Sequence, residues 1–99
     1  MSAPRREIVL EILNRHKLDL SARYGVTKLG IFGSVARDDA VNHSDVDIVF
    51  ETETPNLFRT AHLKQELEAL LACPVDIVRV RDSMNLRLKN RILQEARFV

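Results

Sequence analysis

Three short runs of apolar and β-branched residues alternate along this chain with stretches of helical periodicity. The runs are VTKLGIF, DVDIVFE and VDIVRV. Strand-type runs that alternate with helical segments are typical of α/β proteins, in which helices cover a mostly buried sheet. We therefore predict a small mixed sheet of three or four strands flanked by helices.

Four helical segments are expected around this sheet. The first covers residues 5 to about 23, with Ser2 as N-cap, Pro4 near its first turn and Gly25 at its end. A single helical turn is expected over residues 34–37, after the first strand.

The two remaining helices are predicted from their apolar stripes. The third covers residues 55–73, and its core-facing stripe is Phe58, Leu63, Leu67, Leu70 and Leu71. The last covers residues 84–98, and its inward residues are Leu88, Ile92 and either Leu86 or Leu93.

Composition limits the kind of protein. At 99 residues, 45% hydrophobic and 29% charged, the chain is expected to form one soluble domain over residues 1–99. No segment approaches the roughly 20 consecutive apolar residues that a membrane span requires, so a cytoplasmic location is expected. The single cysteine, Cys73, is expected to be structural.

The charges are unevenly distributed. Net charge is only +1, which does not suggest direct nucleic-acid binding, but residues 38–53 contain six acids and no Lys or Arg. Residues 79–97 contain six basic side chains. An acidic segment suits cation binding, and a basic segment suits an anionic ligand or partner, although a solvated helix face is the more common explanation of such a basic segment.

Two aspartates interrupt the second strand in a way that suggests a cation site. Because side chains alternate along a strand, Asp45 and Asp47 should share one face, with α-carbons about 6.6 Å apart. A divalent ion such as Mg²⁺ would offset their repulsion. Asp76 in the third strand supplies a third carboxylate if the two strands are neighbours. Taken alone, the pattern also fits a strand edge whose acids face water.

The segment before these acids favours the cation site. Gly33 and Ser34 directly follow the first strand, where backbone N–H groups at a tight turn can hold phosphate oxygens. Glycine lets a ligand approach the backbone, and the serine hydroxyl adds a donor. A phosphate cradle and paired carboxylates are complementary halves of a nucleoside triphosphate site.

These residues carry a family resemblance. The spacing of Gly33-Ser34 from Asp45-Val46-Asp47 resembles the signature of the nucleotidyltransferase superfamily that includes DNA polymerase beta. The stretch IFGSVARDDAVNHSDVDIVF is similar to the minimal nucleotidyltransferase family, and PVDIVRV to the strand of its third carboxylate. The resemblance covers residues 28–98 and implies a polymerase beta-like fold.

The resemblance also implies residue roles in nucleotide binding. Gly33 and Ser34 would hold the β- and γ-phosphates of ATP, and Arg37 would help to neutralise them. Ser44 would shape the loop before the acids. Asp38 is a departure, since it stands where the family usually has glycine, and it could strain the turn or add negative charge near the nucleotide.

The acids would form the catalytic and metal site. By the same resemblance, Asp45 and Asp47 would bind two Mg²⁺ ions, and Asp76 would complete the site and accept the proton of the attacking hydroxyl.

Members of this family are commonly antitoxins whose partners are HEPN-class RNase toxins. The resemblance implies transfer of AMP from ATP to a toxin tyrosine within a hetero-oligomer. The last helix and residues 58–71 are the expected docking faces. One alternative is a binding antitoxin that neutralises the toxin by occlusion. Another is transfer to a small molecule, as in aminoglycoside nucleotidyltransferases, for which 99 residues leave little room.

Overall fold

The computed structural model describes residues 5–41 and 45–99, which form a four-stranded sheet flanked by helices. The helices are α1 (Arg6–Tyr24), α2 (Gly33–Ala36), α3 (Leu57–Leu71) and α4 (Leu86–Glu95). The strands are β1 (Val26–Phe32), β2 (Val46–Thr52), β3 (Val75–Arg79) and β4 (Arg97–Phe98). The expected helix start at Ser2 and Pro4, and the expected role of Ser44, lie outside the described residues.

The sheet is mixed, which confirms the predicted fold class. Its strand order is β3-β2-β1-β4, with β2 and β3 parallel and the other two pairs antiparallel. Helix α1 ends at Gly25, whose φ of 69° is the left-handed conformation that glycine adopts easily. Within the described residues, no helix is both long and apolar enough to cross a bilayer.

The two faces of the sheet carry different apolar clusters. On one face, Val46, Ile48 and Phe50 of β2 pack in the large core with buried residues of α1 and α3. On the other face, Val49 packs with Val80 and with Ile92 of α4 in a smaller cluster. Because side chains alternate along β2, Asp47 belongs to the same face as Val49. The smaller cluster therefore shares its face of the sheet with the acidic residues.

The predicted apolar stripe of α3 is wrong at its first member. Leu63 and Leu67 are buried, but Phe58 is 82% exposed. Nine residues separate Phe58 from Leu67, which is two and a half helical turns, so the two side chains leave opposite sides of α3. Phe58 therefore faces solvent beside Leu57, which is 88% exposed.

The predicted inward face of α4 is correct only for Ile92, which is fully buried. Leu86 and Leu93 are 70% and 58% exposed, and Leu88 is also exposed. Leu93 is one residue from Ile92, and Leu86 is six residues from it. Both side chains therefore point at least 100° away around the helix.

The chain end is a strand where a helix was predicted. Helix α4 stops at Glu95, Ala96 is extended, and Arg97 and Phe98 pair with Ile31 and Gly30 of β1. A Cβ at Gly30 would lie 2.9 Å from the α-carbon of Phe98. The close approach of β4 therefore depends on the missing side chain at position 30.

Candidate active site

The turn after β1 is built around contact between Gly33 and Asp47. Gly33 begins α2 directly after β1, with a φ of 74°. A Cβ at this position would overlap the Asp47 carboxylate, with Oδ2 the nearest atom and Cγ 3.2 Å away. Glycine is therefore required both by the backbone conformation and by the neighbouring carboxylate. Ser34, half-buried, follows in the same turn.

Asp47 lies between the other parts of the site. It is the register partner of Phe32, the last residue of β1, and of Asp76 on the parallel strand β3. The two strands are therefore neighbours, about 4.8 Å apart, which meets the condition under which Asp76 supplies a third carboxylate. Asp45 lies just before β2, and both Asp45 and Asp76 are exposed.

The site concentrates negative charge around Asp47. The pKa of Asp47 is raised, first by burial of its carboxyl group and then by the charges of Asp76 and Asp45. The guanidinium of Arg37 acts in the opposite direction. A bound cation would favour the ionised form of Asp47, because it would offset both neighbouring charges.

Asp45, Asp47 and Asp76 have the ligand type that Mg²⁺ prefers, but their side chains do not surround a single ion position. Carboxylate oxygens are the ligands that Mg²⁺ prefers, usually one or two of them together with phosphate and water oxygens. In the described part of the chain, no group of three or more His, Cys, Asp or Glu side chains is placed so that it could hold a metal ion. The convergence of Asp45, Asp47 and Asp76 on one ion is therefore not seen in this arrangement.

Arg37 connects the site to the end of α4. It is the C-cap of α2. Its Nε donates to Oδ2 of Asp39 at 3.3 Å, and its Nη1 lies 3.6 Å from Oε2 of Glu95. The sequence does not reveal either carboxylate as a partner of Arg37, because Glu95 reads as one acid among the basic residues of a helix. Only the tertiary fold brings it to Arg37.

The backbone conformation at Asp38 suits the glycine that the family resemblance implies at this position. Its φ is 63°, in the left-handed region that glycine occupies at little cost. Aspartate tolerates this region better than most residues, since its short polar side chain can bond locally. The strain expected from the sequence is therefore confined to an exposed turn after α2.

The family profile described as "Nucleotidyltransferase domain" matches residues 13–99. The chain belongs to this nucleotidyltransferase family. A relative named protein adenylyltransferase MntA, from Thermococcus cleftensis, is 38% identical over 94 residues, which are 94% of each chain. The resemblance inferred from Gly33, Ser34 and the aspartates is thus confirmed at the level of family and enzyme class.

Solved structures of nucleotidyltransferases agree with the fold. One, named as a minimal nucleotidyltransferase, is 37% identical, has a TM-score of 0.73, and is matched over 90% of this chain and 93% of its own. Another is a complex of a tri-AMPylated Shewanella oneidensis HEPN toxin with an MNT antitoxin, at 19% identity and a TM-score of 0.67. That match covers 94% of this chain and 70% of the other. At that identity it supports the fold alone.

Proposed function

We propose that this nucleotidyltransferase transfers AMP from Mg-ATP to a tyrosine hydroxyl of a HEPN RNase toxin and so neutralises the toxin. The observation that carries the proposal is the contact of Asp47 with Gly33, with Asp45 and Asp76 beside it. This contact joins the turn after β1 to the acids of β2 and β3. The relative from Thermococcus cleftensis, named a protein adenylyltransferase, supports a protein as the acceptor.

The nucleotide roles follow from the turn. Gly33 and Ser34 would hold the β- and γ-phosphates, because the first N–H groups of a helical turn have no partners within it. Arg37 would neutralise part of the phosphate charge, since its guanidinium already acts on Asp47. These contacts would fix the α-phosphorus in place for attack, and positioning is most of what this reaction needs.

The acids would provide the metal and proton roles. Asp45, Asp47 and Asp76 would hold two Mg²⁺ ions, which when bound stabilise charge on the attacking and leaving oxygens. The tyrosine oxygen forms a bond to the α-phosphorus, and the bond from that phosphorus to the pyrophosphate oxygen breaks. Asp76, which is exposed, would accept the tyrosine proton as pyrophosphate leaves.

The acceptor would dock on surfaces that the fold leaves exposed. Leu57 and Phe58 at the start of α3 are 88% and 82% exposed, and Leu86 and Leu93 of α4 are 70% and 58% exposed. The α4 leucines lie among basic residues, as expected from the sequence. Exposed apolar side chains of this size suit a protein partner.

The test is the intact mass of the HEPN-type protein encoded beside this one, after incubation with this protein, ATP and Mg²⁺. We expect a gain of one or more AMP units on the toxin and loss of its RNase activity. An Asp45→Asn, Asp47→Asn variant should give no gain. A Glu11→Gln, Glu53→Gln variant removes the same charge from exposed positions outside the site and should behave as the wild type.

Neutralisation without any mass gain would contradict the proposal. The contradiction would be decisive if the Asp45→Asn, Asp47→Asn variant also inhibited the RNase activity of the toxin in the absence of ATP. The protein would then be a binding antitoxin that acts by occlusion.

A further inference from the structure

Glu95, the last residue of α4, holds a carboxylate oxygen in an unusual environment. Its Oε2 is hidden from solvent and, among the described residues, has no hydrogen-bond partner. Burying a charged oxygen without a hydrogen bond is costly, so the position requires an explanation.

Helix stability does not provide that explanation. The C-terminal end of a helix carries partial negative charge, and a carboxylate there is unfavourable. Glu95 occupies this end of α4. A neutral glutamine of the same shape would suit the helix better.

Arg37 is the group that compensates for this charge. Its Nη1 lies 3.6 Å from Oε2 of Glu95, an ion-pair distance that is longer than a hydrogen bond. The Glu95 side chain is 33% exposed, whereas Asp39, the other acid on Arg37, is 59% exposed. The pair with Glu95 is therefore less screened by water than the pair with Asp39.

The charge of the Arg37 guanidinium also influences the acidic residues of the sheet. Its charge lowers the pKa of Asp47 against the effects of burial and of the two other aspartates. Arg37 thus pairs with a carboxylate at the end of α4 while its charge favours the ionised form of Asp47. A guanidinium has five donors, so an anchor at one side leaves others for a phosphate.

We propose that Glu95 is a positioning residue that holds Arg37 at the nucleotide site and thereby sets the affinity for Mg-ATP. This inference rests on the proposed function, because it takes Mg-ATP as the ligand. Glu95 itself does not touch the nucleotide. Its effect passes entirely through Arg37.

A double-mutant cycle with a binding readout tests this. Calorimetry with Mg-ATP would compare the full-length wild type with Glu95→Gln, Arg37→Gln and the double variant. We expect Glu95→Gln to weaken binding on the order of fivefold, which is within the usual coupling of contacting residues. The double variant should bind no more weakly than Arg37→Gln alone. Glu11→Gln, which removes an exposed acid on α1, should bind as the wild type.

Two further measurements separate positioning from a structural role. Thermal unfolding of Glu95→Gln should remain close to wild type, since the helix end loses an unfavourable charge while the ion pair is lost. In AMP transfer, the variant should raise the KM for ATP more than it lowers kcat.

The possible contrary results are distinct. Unchanged affinity in Glu95→Gln, with weakened binding in Arg37→Gln, would overturn the role of Glu95. The role of Glu95 would also be overturned if Glu95→Gln lowered the affinity for Mg-ATP by the same factor in the wild type and in the Arg37→Gln variant. The effect would then not pass through Arg37. A wild type that does not bind Mg-ATP would overturn both this inference and the proposed function. The expected binding pattern without AMP transfer would leave the positioning role standing and contradict only the proposed reaction.

Discussion

The carboxylate of Asp47 lies in the space that a side chain at Gly33 would occupy. A Cβ on Gly33 would be 3.2 Å from Cγ of Asp47 and closer still to its Oδ2. The turn after β1 and the acidic strand β2 are therefore fitted to each other. The spacing of the Gly-Ser and Asp-x-Asp motifs in the sequence reflects this contact across two neighbouring strands.

Replacing Gly33 by alanine should separate the two halves of the site. We expect Gly33→Ala to lose about 1–2 kcal/mol of unfolding free energy, because its φ of 74° disfavours a side chain. We also expect Mg-ATP affinity to fall at least about tenfold, because Asp47 must move. Denaturant unfolding and calorimetry would measure the two effects.

Gly25→Ala is the matched control. Gly25 has a φ of 69° at the end of α1, and its nearest neighbours are Arg59 and Thr54 rather than site residues. The variant should lose similar stability and keep wild-type affinity for Mg-ATP. Equal affinities in both alanine variants would show that the contact of Gly33 with Asp47 does not matter for the nucleotide.

Asp47 should make the ligand-free protein less stable as pH rises. Its pKa in the folded state is raised above the ordinary 3.8, so the folded chain binds more protons than the unfolded chain between the two values. Stability is therefore lost as pH rises through that window, and the loss remains at neutral pH. We expect Asp47→Asn to be more stable than the wild type at pH 7, with a difference that shrinks toward pH 3.8.

Thermal unfolding across this pH range, without Mg²⁺ or nucleotide, would measure the difference. Glu51→Gln is the control on the same strand, since Glu51 pairs with Lys28 at 3.5 Å and should give no gain. A constant difference between wild type and Asp47→Asn at every pH would contradict the electrostatic account.

Part of the geometry of the candidate site could be predicted, because it depends on local rules. Alternation along a strand was enough to place Asp47 on the face opposite Ile48. The neighbour relation of Asp47 and Asp76 remained conditional, because it depends on the parallel pairing of two strands separated by α3. Glu95 could not be found at all, since its contact with Arg37 links residues that are distant in the chain.

The incorrect predictions about the fold also concern features that depend on position in three dimensions. Arg97 and Phe98 continue the composition of the preceding helix, and they form a strand only because Gly30 of β1 leaves room for them. Phe58 was assigned to the core-facing stripe of α3 because it is hydrophobic. Its position around the helix axis, opposite to the buried Leu67, places it in solvent instead.

Asp38 should be a tolerated substitute for glycine. We expect Asp38→Gly to lie within about 0.5 kcal/mol of wild type, because relief of the left-handed strain is offset by the entropy that glycine loses on folding. Asp38→Val should cost more than about 1 kcal/mol, since a β-branched residue is poorly suited to a φ of 63°. Denaturant unfolding would compare the three proteins.

Comparison of Asp38→Gly with the wild type also tests whether Asp38 impairs nucleotide binding or AMP transfer. Asp38→Gly should bind Mg-ATP and transfer AMP as the wild type does, because the strain lies in an exposed turn. A large gain of activity in Asp38→Gly would instead identify Asp38 as a residue that weakens catalysis.

Phe58 should matter for the partner and not for the fold. Because its side chain is 82% exposed, Phe58→Ala should change the unfolding free energy by less than about 0.5 kcal/mol. Leu63→Ala, five residues later at a buried position, should cost about 2–5 kcal/mol. If the start of α3 docks the HEPN toxin, Phe58→Ala should weaken the complex by about tenfold, as loss of an aromatic anchor does.

Leu18→Ala provides the control for this surface. Leu18 is 85% exposed on α1, which is not among the proposed docking faces. Its truncation removes a comparable exposed apolar side chain, so it should alter neither stability nor the affinity for the toxin measured by calorimetry. If Leu18→Ala weakened the complex and Phe58→Ala did not, the docking face would lie on α1. The start of α3 would then be ordinary exposed surface.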